Sequence, residues 1–266
     1  MKLNLDQVDE FNNRGLLFVE SLFNPDEIRA LNSRLPDILN ERGAKVLRER
    51  NSDSVRSAIA PHLNDDLFKR LSLHPRLVMP ARQLLDGDVY LHQFKINAKE
   101  AHNGEIWHWH QDYRTWYEDD GMPEPKVINA TVFLNDVNEF NGPMMFIPGS
   151  HKDGRLDADQ EFERVPEYGR LSADAVGSPY KIETINALIE QNGIVAPKGP
   201  AGSTIFFHGC TIHGSAPNMS PWSRAMVFSS LNKLGNYIRK PTRPDFLALQ
   251  EFAPLVPLHD NCLLVS

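Results

Sequence analysis

Length, composition and charge exclude several classes of protein. The chain has 266 residues, a formal net charge of −7 and two cysteines. An acidic chain without a basic run argues against nucleic acid as a partner, and no stretch reaches the roughly 20 apolar residues that span a bilayer. With no apolar signal core and too few cysteines for a disulfide framework, we expect a cytoplasmic protein, built as one domain over residues 1–266.

The first third of the chain, residues 1–87, is predicted to be mostly helical. Asp6 is the expected cap of a first helix, which Gly15 ends. Asn24 caps a second, with Pro25 at its first position, and Pro36 is expected to kink or end it. Helices are predicted over residues 6–14, 25–39, 63–71 and 75–85. Residues 41–57 show no pattern and are predicted to form a loop.

From residue 89 onward, short β-type runs separated by Gly, Pro and Asn replace the helices, so a barrel or sandwich is predicted. In residues 89–97, strict alternation places the polar Gln93, Lys95 and Asn97 on one face with Val89 and Leu91. These polar side chains line a pocket or face solvent, and the pattern leaves both open. Further strands are predicted over residues 127–135, 144–147, 203–208 and 224–231.

Residues 152–202 interrupt the β region with charged sequence that contains Gly, Pro and one predicted helix, over residues 182–190. An insertion of this length in a compact fold is more often functional than idle. We therefore expect it to act as a lid.

His110 and Asp112 lie two residues apart in an aromatic run, residues 107–121. If this run is extended, both side chains point to one face and can hold one metal ion. A third ligand must come from elsewhere, and His213 is the candidate. Two histidines and one carboxylate with open positions form the facial triad of a non-haem Fe(II) oxygenase. Because an isolated His-x-Asp usually means nothing, the prediction depends on the aromatic neighbours, which could wall a dry site.

The same run also fits another class of enzyme. His108, His110 and Asp112 resemble the His-x-His-x-Asp signature of zinc hydrolases of the metallo-β-lactamase type. Those enzymes usually carry a further histidine where this chain has Tyr113, and the chain lacks the βα alternation of their fold. A zinc hydrolase and a catalytically idle binding module remain as alternatives.

Several segments together resemble the phytanoyl-CoA dioxygenase family of Fe(II)- and 2-oxoglutarate-dependent oxygenases. The matching segments are residues 91–97, 109–112, 120–123, 141–143, 147–151 and 213–218, ending at Arg224. The resemblance covers most of the chain and implies a mainly β fold with flanking helices around a double-stranded β-helix, or jelly-roll, core. It also implies that His110, Asp112 and His213 hold the iron.

Family roles imply how the cosubstrate binds. Arg224, helped by Ser215, would bind the distal carboxylate of 2-oxoglutarate, because a planar guanidinium suits a carboxylate. Asn97 and Lys95 would contact the cosubstrate or the substrate. The open iron positions would take 2-oxoglutarate and O2, giving succinate, carbon dioxide and a hydroxylated product. A carboxylate at Asp112 favours hydroxylation over halogenation.

Within the family, the Gln-Phe-Lys-Ile-Asn and Trp-His-Gln-Asp segments are most similar to hydroxylases of free amino acids such as leucine. Ectoine hydroxylases are the alternative, although they usually have Ser in place of Gln111 and an acidic residue in place of Arg114. We therefore expect the substrate to be a small free amino acid. The candidate substrate contacts are Gln93, His108, Arg114, Trp116, Met226 and Phe228, and Arg114 could equally be a solvated surface residue.

Overall fold

The computed structural model describes residues 1–160 and 178–265. The helices are α1 (Leu5–Arg14), α2 (Pro25–Asn40), α3 (Asp66–Ser72), α4 (Pro75–Leu84), α5 (Asp112–Asp120) and α6 (Ile182–Asn192). The strands are β1 (Leu16–Val19), β2 (Val46–Arg48), β3 (Val55–Ile59), β4 (Val89–Lys99), β5 (Trp107–His110), β6 (Val127–Phe133), β7 (Met144–Phe146), β8 (Thr204–His208), β9 (His213–Ser215) and β10 (Arg224–Lys233).

The strands form two antiparallel sheets. The larger sheet has seven strands in the order β1-β8-β6-β10-β4-β3-β2, and the smaller sheet has three in the order β5-β9-β7. Neighbouring strands in both sheets pair antiparallel. This arrangement confirms that the chain is mainly β with flanking helices.

Two hydrophobic layers lie on opposite faces of the larger sheet, and β10 contributes to both. Val227 packs with residues of α1 to α4 in the layer between helices and sheet. Met226 and Phe228, one residue to either side, pack with Phe146 and Phe207 in the layer that contacts the smaller sheet. Burial of each such side chain contributes about 1.5–3 kcal/mol. The alternation along β10 therefore holds the two sheets and the helical layer together.

The amino-terminal helices differ in detail from the predictions. The cap of α1 is Asn4, which forms a capping box with Gln7, so the prediction of Asp6 as cap is wrong. Gly15 ends α1 in the left-handed region with φ 73°, as expected. Pro36 lies inside α2 without ending it, since the helix continues to Asn40.

The prediction of a loop over residues 41–57 is wrong, because this segment contributes the edge strands β2 and β3. Ser57 on β3 lies opposite Asn97 on β4, and its hydroxyl donates to the Asn97 Oδ1 at 2.8 Å. Polar side chains at buried strand positions hide the β pattern when strands are predicted from hydrophobic alternation.

A β-bulge in β4 corrects the predicted alternation of residues 89–97. The register with β10 shifts between Ser230 and Leu231, so one residue of β4 is left over. Val89 and Leu91 consequently pack in the helical layer, on the opposite face from Lys95 and Asn97. An extra residue reverses the side-chain alternation on one side of the bulge.

The insertion is described on either side of residues 161–177. Helix α6 confirms the helix predicted there. The predicted lid includes residues 161–177, which lie outside the described residues, and so it stays a prediction. Among the described residues, no helix combines the length and apolar character needed to cross a membrane.

Candidate active site

The predicted metal ligands come together at the smaller sheet. His110 ends β5, Asp112 is the first residue of α5 and His213 begins β9. His110 Nε2 lies 3.6 Å from Asp112 Oδ1, and His213 Nε2 lies 3.7 Å from Asp112 Oδ2. All three side chains are buried, and one ligand atom of each lies within 4.8 Å of the others. These separations suit ligands about 2 Å from one shared ion.

Local backbone geometry explains why residues two apart share this site. The chain is extended through Gln111, whose φ is −113° and ψ is 129°, and turns helical at Asp112. His110 and Asp112 therefore point to one side while Gln111 points to the other. The register of β5 with β9 places His110 opposite His213, with ring centroids 4.2 Å apart. The extended conformation predicted for this run thus ends at Gln111.

Surrounding hydrogen bonds orient the three ligands. His110 Nδ1 donates to the His108 carbonyl at 2.7 Å, and His213 Nδ1 donates to the Thr211 carbonyl at 3.0 Å. Each Nε2 is therefore the nitrogen available to a metal ion. On the other side, the Asn129 amide donates to Asp112 Oδ2 at 2.8 Å.

The electrostatics of the triad favour a divalent cation. Burial, reinforced by His110, lowers the pKa of His213 to about 4. Burial acts to raise the pKa of Asp112, but the His213 and His110 imidazoles outweigh it and hold that pKa below its ordinary value. At neutral pH the set is therefore one carboxylate beside a neutral imidazole at His213, a donor set that suits Fe(II).

Gln111 joins this segment to the insertion. Its amide nitrogen donates to the carbonyls of Cys210 at 2.7 Å and Gly154 at 2.9 Å. Its amide oxygen accepts from the Leu156 backbone N–H at 2.9 Å and the Tyr180 hydroxyl at 3.1 Å. Gln111 is fully buried, so these four bonds satisfy the whole side chain. Gln111 therefore supports the segment that carries His110 and Asp112, but its own side chain points away from the triad.

A small cavity adjoins the triad. The residues that line it are Lys95, Asn97, Trp107, His110, Asp112, Met144, His213, Gly214, Ser215, Arg224 and Phe228. On the smaller sheet, the register sets Trp107 and Met144 on either side of Ser215. Two residues earlier on β9, the register sets His110 and Phe146 on either side of His213. Across the smaller sheet, Trp107, Ser215 and Met144 therefore form a row next to the one that holds His110 and His213.

Arg224 lies at one end of this cavity. Its Nη1 donates to the Gly142 carbonyl at 2.6 Å, while its buried Nε has no hydrogen-bond partner among the described residues. Burial lowers the pKa of Arg224 to about 9, so the guanidinium stays charged at neutral pH. A buried cation without a carboxylate partner is unfavourable in isolation, and an anionic ligand such as 2-oxoglutarate fits it.

Lys95 and Phe228 lie opposite each other on β4 and β10 and line the same cavity. The Lys95 ammonium lies 5.6 Å from the centroid of the Phe228 ring. The structure therefore brings eight predicted residues to the triad or the cavity wall: His110, Asp112, His213, Arg224, Ser215, Asn97, Lys95 and Phe228.

A second bulge explains why His108, a predicted substrate contact, does not line the cavity. The register of β5 with β9 shifts between Trp107 and His110, so Trp107 and His110 both face the cavity. Strict alternation would have put His108 there instead. Trp107 belongs to the aromatic run expected to wall the site, whereas Met144 was not singled out from the sequence. Both residues pair with Ser215, and this pairing is what places them in the cavity wall.

The other predicted substrate contacts lie outside the cavity wall. Gln93 is buried, and its amide donates to the Leu247 carbonyl at 2.9 Å. Arg114 is buried as well, and it forms an ion pair with Glu118 at 2.8 Å, so its interpretation as a solvated surface residue is wrong. Hydrogen bonding thus uses these polar groups within the fold.

The two apolar members of that set pack elsewhere. Trp116 is buried and lies edge-on to His92, with ring centroids 5.3 Å apart, in a hydrophobic cluster with Tyr113 and Met122. Met226 is fully buried in the layer between the sheets. Both positions are explained by ordinary core packing.

Comparison with known proteins places this geometry in a family. The family model for phytanoyl-CoA dioxygenase matches residues 11–226. An ectoine dioxygenase of Bordetella parapertussis is 36% identical, over 99% of this chain and 88% of the relative. An L-proline trans-4-hydroxylase of Streptomyces griseoviridis is 34% identical, over 96% of each chain.

Solved structures agree in fold. EctD from S. alaskensis with 2-oxoglutarate and 5-hydroxyectoine matches with a TM-score of 0.82 and 31% identity, over 96% of this chain and 87% of that one. The same protein with bound Fe matches with a TM-score of 0.81 and 29% identity, over 97% and 87%. These matches confirm the jelly-roll core and the predicted use of iron and 2-oxoglutarate, and the zinc hydrolase alternative is set aside. The chain therefore belongs to the phytanoyl-CoA dioxygenase family of Fe(II)- and 2-oxoglutarate-dependent dioxygenases.

Proposed function

We propose that this dioxygenase hydroxylates an unactivated aliphatic C–H bond of a small free amino acid and converts 2-oxoglutarate to succinate and carbon dioxide. The observation that carries the proposal is the presence of two separate basic groups in one small cavity. Arg224 and Lys95 both line the cavity beside the triad. Two carboxylates, one on the cosubstrate and one on the substrate, can therefore each have a basic partner.

The residue roles follow from this assignment. His110, Asp112 and His213 would hold the iron, which when bound supplies the activation of dioxygen. Arg224 and the Ser215 hydroxyl would hold the distal carboxylate of 2-oxoglutarate, at the far end of the cosubstrate from the metal. Asn97 lines the cavity close to both sites, and its Oδ1 already accepts from Ser57. Its amide N–H groups are therefore the part that would contact a ligand.

At the other end, Lys95 would bind the carboxylate of the amino acid and Phe228 would contact its aliphatic part. Fixing the carboxylate orients one C–H bond toward the iron. The buried triad and its aromatic neighbours Trp107 and Phe146 exclude bulk water from the reacting atoms.

Leucine-like amino acids were the expectation from sequence, and proline now joins them as a candidate. The support is the relative named L-proline trans-4-hydroxylase, whose whole length this chain nearly covers. The small cavity must also hold 2-oxoglutarate, which favours substrates of this size.

Ectoine is the second candidate. Its support is the similarity to the Bordetella ectoine dioxygenase and to EctD, a structure solved with 5-hydroxyectoine. The departures at Gln111 and Arg114 argued against ectoine, but neither side chain lines the cavity. They therefore no longer favour an amino acid over ectoine.

The experiment is a substrate panel with enzyme reconstituted with Fe(II) without oxygen and then exposed to air. Leucine, proline, other aliphatic amino acids and ectoine are each supplied with 2-oxoglutarate, and succinate and product mass are measured. We expect one amino acid to gain one oxygen in step with succinate, and Asp112→Ala to abolish both. Product from ectoine alone would replace the amino-acid proposal with the ectoine alternative.

We further propose that the protein works in the cytoplasm. Cys210 and Cys262 are buried free thiols, which a reducing compartment preserves. Fractionation of cells that produce the protein tests this, and recovery from an extracytoplasmic fraction would contradict it.

A further inference from the structure

Trp107, a residue that lines the cavity, carries a buried indole N–H without a partner among the described residues. Trp107 is only 8% exposed, and its Nε1 has no hydrogen-bond partner among the described residues. An indole can donate but not accept, and buried donors in folded proteins are nearly always paired. Because Trp107 lines the cavity, a bound ligand can provide the missing acceptor.

Strand pairing places Trp107 at the Arg224 end of the cavity. Trp107 lies directly opposite Ser215, and paired residues have their Cβ atoms about 4.5–5.5 Å apart. Met144 lies on the other side of Ser215, and Arg224 bonds to the carbonyl of Gly142, two residues before Met144. Trp107, Ser215 and Arg224 therefore converge on the same part of the cavity.

The unsatisfied groups at this end share one requirement. Arg224 Nε and Trp107 Nε1 are both buried donors without partners among the described residues. The only carboxylate among the cavity residues is Asp112, whose oxygens lie beside the two histidines and accept from Asn129. A ligand carboxylate offers about four lone-pair sites, enough for these donors and the Ser215 hydroxyl together.

The Trp107 ring is held in place from behind. The Arg56 guanidinium lies 4.0 Å from the ring centroid, a cation–π contact. Arg56 in turn forms a buried ion pair with Glu49 at 2.9 Å and donates to the Ile106 carbonyl at 3.1 Å. An indole fixed in this way loses little freedom when it donates to a ligand.

We propose that the Trp107 Nε1–H donates a hydrogen bond to the distal carboxylate of 2-oxoglutarate, as a third ligand beside Arg224 and Ser215. This rests on the proposed role of Arg224 as the anchor of that carboxylate. Trp107 is then a specificity residue for the cosubstrate, since 2-oxo acids without a distal carboxylate cannot accept from it.

The test is anaerobic titration of the Fe(II) enzyme with 2-oxoglutarate and with 2-oxopentanoate, which has the same chain length but no distal carboxylate. Trp107→Phe keeps an aromatic ring and removes the donor. We expect it to weaken 2-oxoglutarate binding by about tenfold, the effect of one hydrogen bond to a charged group, and to leave 2-oxopentanoate binding unchanged. An unchanged affinity for 2-oxoglutarate, or an equal loss for both acids, would overturn the proposal.

Arg224→Lys separates this proposal from the one on which it rests. If Arg224→Lys weakens 2-oxoglutarate binding and Trp107→Phe does not, only the role of Trp107 is wrong. If Arg224→Lys has no effect, the anchor is wrong and the role of Trp107 falls with it.

A second measurement uses the wild-type chain and does not depend on the folding of Trp107→Phe. The chain has four tryptophans, so a ¹⁵N-indole-labelled, Zn(II)-substituted enzyme gives a simple spectrum in which Trp→Phe variants of the other three assign the signals. We expect the Trp107 N–H signal to move downfield with 2-oxoglutarate and not with 2-oxopentanoate. The same response to both acids, or to neither, would contradict the proposal.

Discussion

The two ends of the cavity differ in how completely the described residues define them. At the Arg224 end, Arg224 Nε and Trp107 Nε1 are buried donors without partners in the described part of the chain, which suits an anionic ligand. At the Lys95 end, the wall consists of Lys95 beside the Phe228 ring, while Trp116 and Arg114 pack elsewhere. The first end specifies a carboxylate, whereas the second specifies little beyond small size and charge.

This difference separates enzyme class from substrate. The triad and the Arg224 end contain the chemistry that every reaction of this type needs, and strand register positions them. In the described part of the chain, Lys95 and Phe228 form the wall at the Lys95 end, so substitutions there can change the substrate while the triad and the Arg224 end stay the same. The substrate experiments therefore concern the Lys95 end alone.

The largest expected effect is that of Asp112→Ala, which damages the site that both ends serve. Removal of the carboxylate takes away one of three ligands, so iron affinity should fall by more than the roughly 10–100-fold typical of losing an outer-shell partner. Anaerobic Fe(II) titration measures this. Asn129→Ala, which removes the hydrogen bond to Asp112 Oδ2, is the matched control and should fall within that smaller range. Iron binding unchanged in Asp112→Ala would contradict the assignment of the triad.

Arg224→Lys tests the better-defined end. Lysine keeps the charge but loses the planar, two-pronged donor, so the Michaelis constant for the cosubstrate, 2-oxoglutarate, should rise about 10–100-fold. The Michaelis constant for the proposed amino-acid substrate should stay within about twofold, because the other end is untouched. Steady-state succinate formation gives both Michaelis constants. A rise confined to the constant for the substrate would mean that Arg224 binds the substrate and not the cosubstrate.

Lys95→Gln tests the other end and should show the opposite pattern. Loss of one charged partner should raise the Michaelis constant for the proposed amino-acid substrate by about tenfold and leave that for the cosubstrate unchanged. An amine that lacks the carboxylate of the substrate serves as the control, since it should react equally poorly with both enzymes. A higher Michaelis constant for 2-oxoglutarate, with that for the substrate unchanged, would instead assign Lys95 to cosubstrate binding.

The last effect concerns stability and not catalysis, and it involves Lys99, a fully buried lysine behind the Arg224 end. Burial, followed by Arg224 and Arg56, lowers the pKa of Lys99 to about 6, whereas an unfolded lysine titrates near a pKa of about 10.4. Between these values the unfolded chain binds more protons, so the free energy of unfolding rises with pH, by at most about 1.4 kcal/mol per pH unit.

Lys99→Met removes this contribution, so its stability should change less between pH 7 and pH 9 than that of the wild type. Urea unfolding of the two metal-free proteins at pH 7, 8 and 9 measures the difference, with all other titrating groups shared. Parallel pH dependence would show that Lys99 stays charged in the folded protein.

Sequence could predict the triad because its chemistry shows in the residue types themselves. His110, Asp112 and His213 form an unusual donor set, and their family context indicated iron and a place for Arg224 beside them, where the structure has it in the cavity wall. The helices of the first third of the chain could also be predicted. Asn24, Pro25 and Glu27, for example, form a local capping signal that needs no tertiary contact. Predictions succeeded where the information is local or chemical.

The cavity wall could not be predicted in the same way, because it depends on pairing between distant strands. The bulge in β5 replaces His108 with Trp107 in the wall, and the bulge in β4 turns Val89 and Leu91 away from it. A one-residue shift reverses the side-chain faces, and the residues of one strand do not reveal it. Buried polar positions on β3, such as Arg56, likewise hid a whole strand.

The most direct test of the two-ended cavity is a crystal structure of the Fe(II) enzyme grown without oxygen in the presence of 2-oxoglutarate. We expect the iron on His110, Asp112 and His213, with the distal carboxylate of 2-oxoglutarate against Arg224 and Ser215. The Lys95 end should remain free for the substrate. A carboxylate bound at Lys95 instead, with Arg224 without an anionic partner, would contradict the division of the cavity into these two ends.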